Sequence, residues 1–545
     1  MTNMNSDQSI IALIKRYPVA ITHLRQVSSD RKLGVVLGAG LSLSAGFPSW
    51  PTLLGSISSE MHELGINGEN RNNNAEPMQA QYLFSRFKNH YEQSPEFSNL
   101  DRMLHEPEIA TKWRDLIRKS LYKNVGCLDD KIGEHPYLKD LAQLCHKVPL
   151  VVSYNFDELL EKALHQTKNN SDTIGYYTAW GPNFVIQNNR PVVYHPNGFI
   201  PEKAEDRYSE TVVLTEESIS DQIIESATGK YRLLFDYFSK SPCLFLGFSL
   251  NDPGMRSILR QTERASPGTI HYYVHYCANG KPSEEEIAEI SRVNFELYNF
   301  VTLFLNDDEI STLIKTISLL GDDKFSDLYY EAGVDDTYLY HLAGPVSVGK
   351  TSCISRLQGM SIVDEWLEQR NNLIAKPSNE LNSNEVNQVD EWILGQVRQK
   401  NRRFKTAKPG IHVMDRAPVD AFAFVEEDKW PNKAKQMIDV ICRNNLSDNG
   451  ISKASVIFLS GNAKELEYRQ KYRGRKGDSD YLSEQQELLR KVYTDPILDG
   501  AVKFVDTRNK SIEAVTKDIV RNIFLSDYKA CDFNALLSEY SGNKS

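Results

Sequence analysis

Short apolar runs of strand length alternate along this chain with longer stretches of helical spacing. In the first 320 residues, such runs lie at residues 33–37, 149–153, 191–194, 212–214, 243–246, 270–274 and 300–305. Apolar residues recur near helical spacing at residues 10–27 and 283–293. Continuous apolar strands separated by amphipathic helices are typical of a parallel sheet covered by helices. The pattern therefore predicts an α/β domain.

A second series of the same kind begins after residue 337. Its strand-length runs lie at residues 338–343, 361–363, 411–414 and 455–459. The stretch between the two series is rich in Asp and Gly, as a linker is. We therefore predict a first domain at 1–320, a linker at 321–337, a second α/β domain at 338–528 and a polar tail at 529–545. Residues 56–145 are helical in tendency and are expected to form an insertion in the first domain.

Charge and composition narrow the classes of partner. The net charge of -10 argues against a general polyanion-binding surface, so a nucleic-acid partner is not expected. We find no apolar run of bilayer length and no secretory signal, so a membrane partner is not expected either. The seven cysteines are scattered without a C-x-x-C pair, which favours reduced thiols over a zinc ribbon or a disulfide framework. These features predict a cytoplasmic protein.

The run Gly-Pro-Val-Ser-Val-Gly-Lys-Thr at residues 344–351 lies between a predicted strand and a predicted helix. Glycines let the backbone curl around an anion, and the helix behind adds its positive end. In such a loop the lysine reaches the terminal phosphates of a nucleotide, and the threonine hydroxyl holds Mg²⁺. We predict that ATP or another nucleotide binds here with Mg²⁺ on Thr351. The predicted contacts are Gly344, Ser347, Gly349, Lys350, Thr351 and Ser352.

The first strand-length run leads into Gly38-Ala39-Gly40, with Ser42 two residues later. A Gly-Ala-Gly turn after a first strand suits a nucleotide diphosphate that lies against backbone N–H groups. Such glycines also occur in many tight turns that bind nothing. The later motifs decide between the two interpretations.

Polar side chains follow two further strands. Asn155 and Asp157 come after residues 149–153, and His195 and Asn197 come after residues 191–194. Strand ends of this kind form the ligand edge of an α/β sheet. Asn155 or Asp157 is equally suited to capping the next helix. His195 is a candidate general base, because an imidazole titrates near neutrality.

A fourth motif, Gly247-Phe-Ser249-Leu-Asn-Asp252-Pro253, follows residues 243–246. Asp252 followed by proline also fits a helix N-cap. Together the four motifs resemble the sirtuin-like fold, and especially the bacterial sirtuin-like domains of anti-phage defence proteins. The resemblance covers roughly the first three-fifths of the chain. It implies a Rossmann-type parallel sheet that binds NAD⁺.

The resemblance also implies roles for single residues. Asn155 is expected to contact the nicotinamide ribose and to be required for cleavage, and His195 is expected to be the catalytic base. The family commonly has a histidine directly before the glycine, whereas here Asn197 fills that place and His195 lies two residues earlier. The implied NAD⁺-binding residues are Gly38, Ala39, Gly40, Ser42, Asp157, Asn197, Gly247, Ser249 and Asp252. Deacylases of this fold carry a four-cysteine zinc module, which this sequence lacks, so NAD⁺ hydrolysis is favoured over deacylation.

Charged motifs follow the phosphate loop. Glu365 comes after residues 361–363, Asp415 and Arg416 come after residues 411–414, and a basic run occupies residues 468–476. A basic run is usually a solvated surface or a nucleic-acid patch, but after a phosphate loop it also suits a lid over phosphates. These features resemble deoxynucleoside and nucleoside-monophosphate kinases over residues 338–525. The resemblance implies Glu365 near the acceptor hydroxyl, and Asp415 and Arg416 at the acceptor. The implied lid residues are Arg469, Arg473 and Arg475.

The two halves together predict an NAD⁺ hydrolase that acts as an abortive-infection effector against phage. The second domain is then a regulator that senses a nucleotide or a partner, with a phage protein or a phage-derived nucleotide as trigger. The resemblance implies a homo-oligomer. One alternative is a nucleoside or nucleotide kinase whose sirtuin-like half is a regulatory module for NAD⁺ or ADP-ribose. Another is a phosphate-loop scaffold that binds a partner protein without catalysis.

Overall fold

The computed structural model contains two compact units, which are described separately. The first comprises Met1–Leu13, Val27–Ala265 and Ile270–Gly321, and the second comprises Ile14–Gln26, Ser266–Thr269 and Asp322–Ser545. The residues that the structure describes are 2–68, 75–98, 100–167, 175–181, 184–187, 190–204, 208–209, 212–278, 280–369, 371–375, 382–472, 474 and 477–542.

The first unit is built on a seven-stranded sheet in which every strand pair is parallel. Its strands are β1 (Gly34–Leu37), β2 (Leu150–Ser153), β3 (Tyr177–Ala179), β4 (Val192–Tyr194), β5 (Cys243–Leu246), β6 (His271–Tyr276) and β7 (Phe300–Leu305). The order across the sheet is β3-β4-β2-β1-β5-β6-β7. The chain leaves β1 toward β2 on one side and later returns to β5 on the other. The carboxyl end of β1 is therefore the switch point at which open α/β sheets bind ligands.

Helices accompany these strands along the first 320 residues. They are α1 (Thr2–Arg16), α2 (Pro18–Ser29), α3 (Gly40–Leu43), α4 (Trp50–Glu63), α5 (Glu76–Glu92), α6 (Pro95–Ser98), α7 (Arg102–Tyr122), α8 (Leu128–Glu134), α9 (Pro136–Cys145), α10 (Leu159–Gln166), α11 (Glu216–Ala227), α12 (Arg232–Lys240), α13 (Pro253–Ala265), α14 (Glu284–Tyr298) and α15 (Asp307–Ser318). Helices α4 to α9 occupy the stretch in which the sequence predicts a helical insertion. Pro18 separates α1 from α2, because a proline inside a helix removes a backbone hydrogen bond.

The second unit has a five-stranded parallel sheet of order β12-β11-β8-β10-β9. Its strands are β8 (Thr337–Ala343), β9 (Ser361–Val363), β10 (Gly410–Asp415), β11 (Ser455–Ser460) and β12 (Val502–Asp506). Its helices are α16 (Asp322–Ala332), α17 (Lys350–Ile354), α18 (Ser383–Lys405), α19 (Trp430–Cys442), α20 (Leu446–Asn449), α21 (Ala463–Tyr472), α22 (Ser479–Tyr493), α23 (Ile512–Phe524) and α24 (Phe533–Tyr540), with short 3₁₀ helices at Asn372–Ala375, Pro418–Phe424, Glu427–Lys429 and Pro496–Leu498. The predicted fold class, α/β with two parallel sheets, is confirmed.

The structure differs from the predicted linker at 321–337. Residues Asp322–Ala332 form α16, and its Phe325, Leu328 and Tyr329 are buried. These three apolar residues stand at i, i+3 and i+4, which places them on one face of a helix. The stretch is rich in Asp and Gly overall, but that one face is apolar enough to be packed.

Two further segments pack into the second unit. The predicted polar tail contains α24, whose Phe533 and Leu537 belong to the core. Residues 14–26 also belong to this unit, since Thr22 Oγ1 donates to Tyr329 Oη at 2.9 Å and Gln26 Oε1 accepts from the Ile411 N–H at 2.8 Å. The two units therefore differ from a simple division at residue 320 in residues 14–26, whereas residues 1–13 belong to the first unit.

Across the described ranges, none of the helices combines the length and the apolar character needed to cross a membrane.

Candidate functional site

Polar residues of the first unit gather at the carboxyl ends of β4, β2, β1 and β5, which are adjacent in the sheet. Gly38, Asn155, His195 and Gly247 each follow the last residue of one of these strands within two positions. The sequence motifs therefore meet at one edge of the sheet, at its switch point.

The glycines at this edge are explained by backbone packing. The Gly38 N–H donates to Leu246 O at 3.0 Å, and the Gly40 N–H donates to Gly247 O at 2.9 Å. A Cβ added to Gly38 would lie 2.5 Å from Gly247 O, which is too close for any side chain. The loops after β1 and β5 thus need glycine whether or not a ligand binds. Ala39 and Ser249 are exposed beside them.

Asn155 presents a buried amide oxygen at the centre of the site. Its Nδ2 donates to Ser42 Oγ at 2.9 Å, so β2 and α3 are joined through these side chains. Its Oδ1 is buried and has no hydrogen-bond partner among the described residues. Buried polar atoms are nearly always paired, so an orphaned amide oxygen indicates a ligand contact.

Asp157 lies two residues further along the same loop. Its Oδ1 accepts from the N–H of Leu159, the first residue of α10, at 3.1 Å, although Glu158 and not Asp157 occupies the N-cap position. Burial raises the pKa of the Asp157 carboxyl to about 6. Because this carboxyl ionises near neutral pH, it can also accept a hydrogen bond from a ligand hydroxyl.

His195 is fully buried, and both of its ring nitrogens are engaged. Nδ1 lies 2.8 Å from Asn155 O, and Nε2 lies 2.8 Å from Glu161 Oε1. Asn155 O can only accept, so Nδ1 donates, and a carboxylate at Glu161 accepts from Nε2, an arrangement that favours the imidazolium form of the ring. Burial alone lowers the pKa of His195, but the charge and hydrogen bond of Glu161 outweigh it and the pKa is raised. This arrangement offers no free lone pair, so it does not support the predicted base role.

Asn197 stands in a second polar network. Its Oδ1 accepts from Gln222 Nε2 at 3.0 Å, and its Nδ2 donates to Asp252 Oδ2 at 3.4 Å. Asp252 Oδ1 accepts from the Met255 N–H at 2.7 Å, which confirms the helix-cap alternative, and burial raises the pKa of this carboxyl. Sequence reasoning missed Gln222, which stands in an ordinary helix. It also gave no role to Glu161, although Glu161 ends the same motif as Asn155.

In the second unit, the phosphate loop joins β8 to α17. Ser347 and Gly349 adopt the left-handed backbone conformation, with φ of 66° and 110°. Lys350 Nζ donates to Gly344 O at 2.8 Å and to Pro345 O at 2.9 Å. Burial lowers the pKa of Lys350 to about 8. Helix α17 has only five residues, as the close spacing of Lys350 and Glu365 suggests.

Thr351 and Asp415 meet beside this loop. Thr351 Oγ1 donates to Asp415 Oδ2 at 2.7 Å. Asp415 Oδ1 is buried and lacks a hydrogen-bond partner in the part of the chain that is described. A hydroxyl and a carboxylate are the hard oxygen ligands that suit Mg²⁺. These two residues would hold the ion, which would neutralise charge on the phosphates of a bound nucleotide.

Arg416 and Glu365 form an ion pair with 2.6 Å between Nε and Oε1. Burial acts to raise the pKa of Glu365, but Arg416 outweighs it and the net pKa is lowered. Arg416 also has a left-handed backbone with φ of 69°. A non-glycine residue held in this conformation is strained, and such strain clusters at functional sites.

The phosphate loop, Glu365 and Arg416 all border one cavity of about 1560 Å³. Pockets for a single drug-sized ligand are typically about 300–1,000 Å³, so this cavity has room for two ligands. Of the predicted lid residues, Arg469 lies on α21 and its Nη1 donates to Val348 O at 3.3 Å. Arg473 and Arg475 lie outside the described residues. Ser352 also lines the cavity.

Comparison with known proteins supports the sirtuin-like resemblance. Residues 149–298 match the family of SIR2-like domains. The chain is 25% identical over 300 residues to the NAD(+) hydrolase ThsA of Enterococcus faecium, which covers 52% of this chain and 50% of that protein. The chain thus spans about half the length of this curated relative.

Solved structures of two kinases are similar to part of the chain. A deoxyadenosine kinase from M. mycoides is 18% identical, with a TM-score of 0.27, and the match covers 34% of this chain and 98% of the kinase. A thymidylate kinase from Candida albicans is 14% identical, with a TM-score of 0.28, over 36% of this chain and 98% of the kinase.

The predicted sirtuin-like resemblance is confirmed where the family matches, so residues 149–298 are a SIR2-like region.

Proposed function

We propose that the first unit hydrolyses NAD⁺ to nicotinamide and ADP-ribose. The observation that carries this proposal is the buried, unpartnered Oδ1 of Asn155 at the switch point of the parallel sheet. The SIR2-like match and the similarity to an NAD(+) hydrolase support it. The position of the residues around Asn155 at the same sheet edge supports an NAD⁺-binding role for them.

Hydrolysis needs a held ribose and an accessible water. Departure of neutral nicotinamide leaves an oxocarbenium-like centre, so orientation and electrostatics contribute more than a strong base does. In this proposal Asn155 Oδ1 accepts from a ribose hydroxyl, and the hydrogen bond from Nδ2 to Ser42 orients the amide. Asp157, whose pKa is about 6, is ionised at neutral pH and favours a positive centre nearby. His195 and Glu161 hold the backbone of Asn155 from behind.

The direct test is to incubate the full-length protein with NAD⁺ and to measure nicotinamide and ADP-ribose by chromatography. We expect both products in equal amounts. The assay is repeated with a panel of nucleoside mono- and triphosphates, which supplies a ligand to the second unit if cleavage depends on one. NAD⁺ that stays intact under every condition would reject the proposal.

We expect the rate of cleavage to fall as pH rises through the raised pKa of His195. The imidazolium of His195 keeps both of its hydrogen bonds only while it is protonated, and its pKa is raised above 6.5. A base at this position would instead give a rate that increases with pH and then levels off.

A Glu161→Gln variant isolates the charge of this pair. Removing one partner of a buried ion pair costs about 3 kcal/mol. Because the folded pKa of His195 is raised, this stabilisation is fully present below about pH 6.5 and is lost as pH rises through the folded pKa. The difference in Tm between wild type and variant should therefore shrink with increasing pH. A difference that grows with pH would contradict the pairing.

We propose further that the second unit regulates the first through a nucleotide at the phosphate loop. Unregulated hydrolysis of NAD⁺ would kill the host cell, so an anti-phage effector needs a switch. A phage protein or a phage-derived nucleotide is the proposed trigger, and a homo-oligomer is the proposed active form. Lys350 and Thr351 line one cavity, and the Thr351 hydroxyl donates to Asp415, which supports nucleotide binding.

The second candidate is a kinase whose first unit is a regulatory NAD⁺ or ADP-ribose module. The strained Arg416, paired with Glu365 in a cavity large enough for two ligands, favours this candidate. Transfer of phosphate from radiolabelled ATP to added nucleosides or nucleotides would establish it. If the protein neither transfers phosphate nor binds a nucleotide, the alternative of a phosphate-loop scaffold remains.

A further inference from the structure

We propose that Lys400 binds an anionic oxygen of the ligand on the acceptor side of the second unit's cavity. This ligand is then a phosphate ester, such as a nucleoside monophosphate, and not a neutral nucleoside. The inference rests on the proposed nucleotide-binding role of the second unit. It adds the charge class of the second ligand and a residue that selects it.

Lys400 is a buried cation with spare hydrogen-bond donors. It projects from α18, lines the cavity and is 5% exposed. Its Nζ donates to Asp415 O at 2.8 Å, which is its one hydrogen-bond acceptor among the described residues. An ammonium group has three N–H donors, so two remain for a ligand.

No carboxylate of the described part neutralises this ammonium through a direct hydrogen bond. The nearby acids have other partners: Glu365 pairs with Arg416, Asp415 accepts from Thr351, and Asp420 accepts from the hydroxyl of Tyr493. A buried charge without a paired counter-charge is costly. The charges of Asp415, Glu365 and Asp420 act on Lys400 without a direct hydrogen bond among the described residues, so an anionic ligand would supply a directly bonded counter-charge.

Lys433 provides the contrast. It lines the same cavity and is also 5% exposed, but its Nζ donates to Asp390 Oδ2 at 2.8 Å and to Gln436 Oε1 at 3.1 Å. Lys433 is therefore already neutralised by the protein. Two lysines with equal burial in one cavity differ in whether they need an external anion.

The surroundings of Lys400 define where that anion lies. Its hydrogen-bond acceptor, Asp415 O, directly precedes Arg416 in the chain, and Arg416 borders the same cavity. Trp366, Phe424 and Tyr481 also line this cavity and supply aromatic surface. A ligand with a planar ring against these side chains and a phosphate near Arg416 and Lys400 fits this combination of groups.

The test uses the full-length protein with its phosphate loop first filled by Mg²⁺ and a non-hydrolysable ATP analogue. Each of the four common deoxynucleosides and its 5′-monophosphate is then titrated by calorimetry. We expect at least one monophosphate to bind roughly 10- to 100-fold more tightly than its nucleoside, which is the value of a charged hydrogen bond. Equal affinities, or tighter nucleoside binding, would overturn the proposal.

Variants assign the preference to Lys400. Lys400→Gln keeps a donor for Asp415 O and removes the charge, so it should reduce the preference for the monophosphate toward unity without weakening the nucleoside. Lys400→Met removes both the charge and the donor for Asp415 O. The matched Lys433→Met variant should keep the preference for the monophosphate. A lysine that only ties α18 to β10 would leave the preference unchanged in the folded Lys400→Gln protein, and this result would also overturn the proposal. Failure to bind the ATP analogue at all would instead reject the nucleotide-binding role on which the inference rests.

Discussion

Replacement of Asn155 by alanine is expected to reduce NAD⁺ cleavage by roughly 10²–10³-fold, the cost of losing one well-placed polar group in a catalytic site. The variant loses the buried Oδ1 that has no protein partner, so the ligand contact disappears. Among the described residues it loses one side-chain hydrogen bond, the bond to Ser42. Folding should therefore be nearly intact. Nicotinamide release and thermal unfolding, measured on the same preparation, check both expectations.

Asn294 supplies a matched control for this variant. It is buried in the first unit, and its Nδ2 donates to the Thr302 hydroxyl at 3.1 Å, much as Asn155 donates to Ser42. It stands on α14 and not at the sheet edge that carries the motifs. Asn294→Ala should match Asn155→Ala in stability and keep wild-type cleavage. A folded Asn155→Ala protein that still releases nicotinamide at the wild-type rate would show that the amide is not catalytic.

The sheet-edge cluster could be predicted from the sequence. An apolar run of strand length is a local pattern, and the rule for parallel sheets holds for the whole fold class. Asn155 and Gly247 follow apolar runs, and the carboxyl ends of parallel strands meet at one edge. The environment of His195 could not be predicted in this way. A strand-end histidine suggests a base, but its partner Glu161 lies 34 positions earlier and is oriented by the packing of α10.

Lys400 was missed for a related reason. Its helix carries five basic residues between positions 398 and 405, a composition that is typical of a solvated face. Only the packing of α18 shows that Lys400 points inward while Arg402 and Lys405 are exposed. The short α17, by contrast, follows directly from the spacing of two motifs, and spacing is visible in any sequence.

Replacement of Lys350 by alanine is expected to weaken nucleotide binding to the second unit by roughly 10- to 100-fold, the value of a charged hydrogen bond. The ammonium is the point charge that reaches the terminal phosphates from a phosphate loop. If the bound nucleotide is the trigger, the variant should also fail to protect cells from phage while its NAD⁺ site is unchanged. Calorimetry with ATP and Mg²⁺ and a phage plaque assay measure the two effects.

The link between these two effects is thermodynamic. A ligand at one site changes another only through its different affinities for the active and inactive states, so losing the ligand loses the shift. Constitutive NAD⁺ cleavage in Lys350→Ala would mean that the nucleotide is a brake and not a trigger. Lys433→Ala removes a lysine of the same cavity that is already paired with Asp390, and it should keep the wild-type response. Normal regulation in a Lys350→Ala protein that binds no nucleotide would remove the phosphate loop from the mechanism and leave the scaffold alternative.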